Sequence, residues 1–446
     1  MGCVDRNSLA RGEIPMDGDS KEVSRMYRME NLPNGVRIVT EEIPNVRSVA
    51  IGLWIGAGTR DESEDNRGIS HFIEHMLFKG TRKRSAKELA EALEAVGGQL
   101  NAFTTKEYTC YYAKILDEDF DLAVDVLSDM YFNSRFEPKE IDKEKKVVIE
   151  EIKMYEDSPD ELIHDVFTQT IWRDHPLGQP ILGTSKSIEE MSRDKVLSFL
   201  ERNYTPQNLV VAVAGKIDHR RAYDRLGPVF GAFGGYGKRI LDSKPTVYPV
   251  SKHISKDTEQ TQIVMGVPGL AQDDPSIYPL HVLNNILGGG LSSRLFQEIR
   301  EERGMAYSVY SYHSTFVDSG LFAIYAGTSP ANSEEVIDCI LAELAKLKTE
   351  GISAQELERT KAQIKGSLYL SLESVSSRMS RLGKNELCFD RIISLDEVVD
   401  KINQVKVQDV KSLAERLLEP KYFTLTTIGP GSLGLDFSQM VVRSGL

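Results

Sequence analysis

The chain has 446 residues, 41% of them hydrophobic and 27% charged, with a formal net charge of −13. That length is too great for one ordinary core and implies two or more domains, and the composition excludes a disordered or fibrous chain. The acidic balance argues against general nucleic-acid binding, and no apolar run approaches the roughly 20 residues that a membrane-spanning helix needs.

The start, MGCVDRNSLARGEIPMDGDSKEVSR, is polar and carries several acids. Residues 1–25 are expected to form a loose tail with neither secretory nor mitochondrial targeting character. Four cysteines (Cys3, Cys110, Cys339 and Cys388) are scattered without a pairing pattern, which suits a reducing compartment and a cytoplasmic location. Residues 35–57 read as two strands joined at Pro44-Asn45. A helix is expected across Ile69–Phe78. Ser85 and Glu88 form a capping box before KELAEALEAV, and Gly97-Gly98 stops that helix. NAFTTKEYTCYYAKIL is extended. A long helix should run from about Pro138 to Tyr155, and NLVVAVAG is a closing strand.

FGAFGGYGKRILDSKP is rich in glycine and charge, a linker composition. It divides the chain into a first half over 26–230, a linker over 231–246 and a second half over 247–446. In the second half QTQIVMGV and GLFAIYAGT read as strands, SIYPLHVLNNIL as a helix, and helices fill most of the rest before YFTLTTIG. The halves match in register. HFIEHMLFKG lies over HVLNNILGGG, and FEPKEIDKEKKVVIEEI over ISAQELERTKAQIKGSL. Glu74 and His75 fall on Asn284 and Asn285, Glu144 on Thr360 and Glu151 on Ser367. A duplication whose second copy lost its acids accounts for this pattern. The fold class is α+β: two homologous α/β-sandwich halves, each with helices on a mostly antiparallel sheet.

His71-Phe72-Ile73-Glu74-His75 is an H-x-x-E-H sequence. Residues four apart on a helix share a face, so His71 and His75 can address one ion, and imidazole nitrogens suit Zn²⁺. Glu74 lies on the same side, within reach of a water beside such an ion. With only eight histidines in the chain, the motif is hard to attribute to chance, although histidines that merely pack or cap give the same letters. A catalytic zinc wants a third protein ligand and one open position. The helix EIDKEKKVVIEEIKMYE offers Glu144 and Glu151 on one face, with Val148 between them. Glu150 points about 100° away from Glu151 and is the rival.

The chain resembles the pitrilysin family of metallopeptidases, and within it the bacterial subunits similar to mitochondrial processing peptidase. The likeness spans residues 28–432 and is carried by GISHFIEHMLFKGT, GGQLNAFTTKEYTCYY, EKKVVIEEIKMYEDSPDE and SRLFQEIREERGMAYSVYSY. The resemblance implies one zinc ion per chain on His71, His75 and Glu151, Glu74 as general base, and Glu144 supporting the site through a hydrogen bond. It implies that Arg300 and Tyr307 hold substrate, and that the strand Asn101-Ala102-Phe103-Thr104 is a substrate-binding edge. It further implies a clamshell homodimer in which Arg300 and Tyr307 serve the partner's zinc, acting on peptides or unfolded precursor segments. Gly288-Gly289-Gly290 matches the family's glycine-rich loop; no G-K-[ST] follows, so it is no phosphate loop. A non-catalytic scaffold and a peptide-binding subunit that leaves its ligand whole are the alternatives.

Overall fold

A computed structural model describes residues 27–237, 239 and 244–446. The tail expected over 1–25 lies outside the described residues, as do residues 238 and 240–243 of the expected linker.

The first sheet holds β1 (Tyr27–Asn31), β2 (Arg37–Glu42), β3 (Ser48–Ile55), β4 (Gln99–Thr104), β5 (Thr109–Leu116) and β6 (Leu209–Gly215), in the spatial order β1-β2-β6-β3-β5-β4. The second holds β7 (Ser251–Ser255), β8 (Thr261–Pro268), β9 (Ala306–Thr315), β10 (Gly320–Thr328) and β11 (Thr424–Gly429), in the order β7-β11-β8-β10-β9. The pairing repeats. β2 runs parallel to β6 as β7 does to β11, β3 lies antiparallel between β6 and β5 as β8 does between β11 and β10, and β4 and β9 are the antiparallel edges. The internal repeat read from the sequence is therefore a repeat of sheet topology, and the two-half α+β architecture holds.

Central strands such as β3 (SVAIGLWI) and β6 (LVVAVAG) are buried on both faces, which explains their continuous apolar runs. The expected extended stretch 101–116 is a hairpin rather than one strand: Thr105–Tyr108 turns, with the Thr105 N–H donating to the Tyr108 carbonyl at 2.8 Å, and β4 and β5 flank it. AYSVYSYHST forms β9, which is not among the expected strands; its three tyrosines and Val309 are the aromatic and β-branched enrichment that signals a strand. The capping box is present, with the Ser85 hydroxyl accepting from the Glu88 N–H at 3.3 Å and the Glu88 carboxylate accepting from the Ser85 N–H at 2.7 Å.

On one face of the first sheet, the helices Ile69–Leu77 and Phe120–Asn133 bury Phe72, Ile73 and Val124 in the core beneath them, and Pro138–Glu156 adds Val148 to that core by packing on the helix Ile69–Leu77. The opposite face is covered from the other end of the chain. Val375, Met379 and Leu382 of the helix Val375–Phe389 pack on Val39, Ala50, Trp54, Val210, Ala212 and Ala214. The second sheet is covered reciprocally: Ile163, Val166, Phe167 and Ile171 of the helix Pro159–Ile171 pack on Val264, Leu321, Ala323 and Ile428. The halves exchange one helix each, so the linker does not separate a pair of independently packed bodies. Among the described residues no helix is long and apolar enough to cross a membrane.

This exchange is tight at Gly383, where an added Cβ would stand 2.3 Å from Trp54 Nε1 and 2.4 Å from Cδ1. Gly383→Ala overpacks that contact and is expected to cost about 1–3 kcal/mol. Urea unfolding should show a lower midpoint at an unchanged slope.

Candidate metal centre

The helix Ile69–Leu77 is short, and its own sequence supplies no N-terminal side-chain cap. Gly68 starts it at φ +84°, where an added Cβ would also meet the Leu182 carbonyl oxygen at 2.6 Å. The orphan amides of the first turn are satisfied from outside. The Glu62 carboxyl accepts from the Gly68 N–H at 2.7 Å and from the Ser70 N–H at 2.9 Å. Glu62 is a functional residue that sequence reading misses, because nothing in the local pattern links an acid in a turn to a helix several residues on.

This helix lies against Pro138–Glu156, and the two bring His71, His75 and Glu151 together. One ligand atom from each lies within 4.8 Å of the others, in the single group of three or more such residues among those described. The imidazole centroids stand 4.5 Å apart, inclined at 59°. His71 Nε2 faces Glu151 Oε1 at 3.8 Å and His75 Nε2 faces Glu151 Oε2 at 3.6 Å. Glu150 turns away: its carboxylate is 72% exposed and pairs with Lys153 at 2.8 Å, whereas the Glu151 side chain is 34% exposed.

These separations suit an ion better than direct pairing. They exceed a hydrogen bond, while donor atoms around a tetrahedral zinc at 2.0–2.1 Å stand about 3.3 Å apart. His71 is 8% exposed and turns Nε2, not Nδ1, toward Glu151 at 3.8 Å. A cation between the rings and Glu151 would engage Nε2, the atom an imidazole offers once Nδ1 carries the proton. Burial pushes the His71 imidazole down to about 3, so the ring is neutral, the form in which imidazole binds a metal.

Glu144 orients the second ring. Its Oε1 accepts from His75 Nδ1–H at 2.8 Å, which leaves the lone pair on Nε2, toward Glu151. Its Oε2 takes the Lys79 ammonium at 2.7 Å. Burial by itself would raise this carboxyl, but the His75 and Lys79 bonds outweigh it and hold Glu144 below the usual carboxylate range. Glu144→Ala should weaken zinc binding by about 10–100-fold, measurable by competition with a chromogenic chelator, with the fold intact by circular dichroism.

Glu74 lies beside the group. Its Oε2 accepts from the Thr104 hydroxyl at 2.5 Å. Burial raises the Glu74 carboxyl above its ordinary value, against the lowering effect of that bond. Thr104, expected at a substrate-binding edge, thus touches Glu74. Asn101, Ala102 and Phe103 lie in β4, which among the described residues pairs with β5 on one side and with no strand on the other; Phe103 packs its ring on Trp54 at 5.6 Å.

Arg300 and Tyr307 meet each other on the second half. Arg300 lies in a π-helical turn, Phe296–Glu302. Its Nη1 donates to the Tyr307 carbonyl at 2.9 Å, and its guanidinium sits 4.8 Å from the Tyr307 ring centroid and 4.7 Å from that of Phe296. Tyr307 is the second residue of the edge strand β9 and is 77% exposed. Among the described residues no hydrogen bond, ion pair or ring contact joins either side chain to the His71–His75–Glu151 group. In the second half His281 instead pairs with His313, Nδ1 to Nε2 at 3.0 Å.

The family model of the insulinase peptidases, peptidase family M16, matches residues 37–185, and that of the M16 inactive domain matches residues 190–364. The chain belongs to peptidase family M16. This M16 chain is 48% identical to a Bacillus subtilis protein called uncharacterized zinc protease YmxG, over 91% of the chain and 98% of that protein. It is 42% identical to the uncharacterized zinc protease SCO5738 of Streptomyces coelicolor, over 90% of the chain and 89% of the relative. Among solved structures, the peptidase M16 inactive domain from Pseudomonas fluorescens superposes at a TM-score of 0.86 with 20% identity, covering 91% of this chain and 98% of that one. A protease from Helicobacter pylori superposes at 0.85 with 22% identity, covering 91% and 99%. At those identities the two structures speak for the fold.

Proposed function

We propose that this M16 chain is a zinc-dependent endopeptidase that cleaves peptides and unfolded or precursor segments, with one zinc ion per chain on His71, His75 and Glu151. The observation that carries the proposal is the convergence of two neutral-capable imidazoles and one carboxylate at distances too long for hydrogen bonds, with Glu144 fixing one ring. Relatives that bear the words zinc protease add support. Zinc in that position supplies Lewis acidity, which acidifies water and polarises a carbonyl.

The chain's own residues do the rest. Thr104 occupies Glu74 Oε2, so Oε1 is the atom that receives the proton of the attacking water, and Glu74 then delivers it to the leaving amine. The free edge of β4 pairs with an extended substrate through main-chain bonds, which tolerates many sequences. Arg300 holds a substrate carbonyl and the Tyr307 hydroxyl donates to the developing oxyanion. Among the described residues Arg300 and Tyr307 make no contact with the metal group of their own chain, and in this reading they serve the other copy in a clamshell homodimer. A cytoplasmic location belongs to the same reading, supported by free thiols at Cys110, Cys339 and Cys388.

The test is metal analysis of the purified protein beside mass spectrometry of a digested peptide library. Zinc near one per chain with new peptide ends is expected. Zinc bound with every peptide intact would favour a peptide-binding subunit, and no zinc at all would remove the proposal.

A further inference from the structure

Outside the exchanged helices, one of the links between the halves runs through Arg60, beside those of Lys256 to Asp157 and of Arg173 to Tyr248. Arg60 lies in the short turn Thr59–Asp61 and is 3% exposed. Its Nη1 donates to Glu107 Oε1 at 2.8 Å and to Asp318 Oδ1 at 2.8 Å, and its Nη2 to Asp318 Oδ2 at 2.6 Å. Glu107 belongs to the β4–β5 turn. Asp318 belongs to the β9–β10 turn, in the other half. Glu107 Oε2 also accepts the Val317 N–H at 3.0 Å, and the Arg60 N–H donates to the Lys106 carbonyl at 2.7 Å. The tips of two hairpins that correspond by the internal repeat therefore meet on one guanidinium.

A largely desolvated ion triad costs much of what its attraction returns, so stability is a weak reason to keep one; what it does supply is a fixed geometry, here through a bidentate fork. The fixed element is informative. Thr104 is the last residue of β4, directly before the clamped turn, and its hydroxyl holds Glu74 Oε2 at 2.5 Å. A continuous series of contacts runs from Asp318 through Arg60, Glu107 and the turn to Thr104 and Glu74.

We propose that Arg60 is a positioning residue: anchored on Asp318 of the second half, it clamps the β4–β5 turn and, through Thr104, sets where the Glu74 carboxyl stands. The proposal rests on the zinc peptidase reading and gives the metal-free half of the repeat a task within its own chain, separate from any service of Arg300 and Tyr307 to a partner. Arg60→Lys keeps the charge but loses the fork. Asp318→Asn weakens the clamp from the other side, at a side chain 16% exposed, so the test stands even if Arg60→Lys does not fold.

Two measurements are made on the full-length protein. In the zinc-free protein, hydrogen exchange of residues 104–108 should rise in Asp318→Asn while the helix 69–77 keeps its protection. In the zinc-loaded enzyme, Arg60→Lys and Asp318→Asn should each lower kcat about tenfold, with KM and zinc content unchanged, as expected when a reacting group is displaced without loss of binding. In a double-mutant cycle with Thr104→Val, Asp318→Asn should add little, because the connection is already cut. Unchanged exchange at 104–108, an effect on KM alone, or independent losses that multiply would each overturn the proposal. A wild type that cleaves nothing would overturn the peptidase function and the role of Arg60 in it, while the exchange measurement would still decide whether Asp318 holds the turn.

Discussion

Glu74→Gln is expected to lower peptide turnover by about 10²–10⁴-fold, the usual contribution of a general base, while zinc stays bound. The two expectations are linked by geometry. His71, His75 and Glu151 bring together the atoms that could hold a metal ion without Glu74, and the Thr104 hydroxyl already occupies one Glu74 oxygen. The amide that replaces the carboxyl can still accept from Thr104 through its carbonyl oxygen, so the local structure should survive, but it cannot take a proton from water. Metal analysis and cleavage rates on the same preparation provide the check. Loss of zinc along with turnover would make Glu74 a ligand instead of a base, and retained turnover would remove it from the chemistry.

Equal mixing of Glu74→Gln and Arg300→Ala chains should restore activity to about a quarter of the wild-type level, although each variant alone is nearly inactive. The fraction follows from C₂ pairing. Half of the dimers are mixed, and in each of these one of the two sites combines an intact Glu74 with an intact Arg300 from the other chain. Loss of a transition-state donor typically costs about 10²–10³ in kcat, so the background is low. The prediction depends on where Arg300 sits: stacked between Phe296 and Tyr307, hydrogen-bonded to the Tyr307 carbonyl and, among the described residues, without contact to His71, His75 or Glu151 of its own chain. If mixing gives only the sum of the two residual activities, both residues act within one chain or not at all.

Much of the metal group is legible in the sequence because helical spacing is local. His71 and His75 share a face whatever the rest of the chain does. Which neighbour of the pair Glu150/Glu151 turns inward is a tertiary matter, decided by how Pro138–Glu156 rotates against the motif helix; the resemblance points to Glu151, the residue that faces the rings at 3.6–3.8 Å. Glu62, Arg60 and Asp318 carry no local signal at all, since an acid or an arginine in a turn looks solvated until its distant partner is seen. The apolar stripe of PDELIHDVFTQTI says that this helix is buried, and nothing in it says that it is buried on the other half's sheet. For the same reason a linker composition marks where the chain crosses between halves without marking where packing divides.

The exchanged helices bear on how the protein is made. All strands of the first sheet have left the ribosome once β6 ends at Gly215, but the helix that covers Val39, Trp54 and Val210 begins only at Val375. At about 5–20 residues per second, the intervening stretch of roughly 160 residues takes on the order of 10–30 s to synthesise. For that interval a finished sheet shows a bare apolar face, and the nascent chain should be a client of holding chaperones until translation is nearly over.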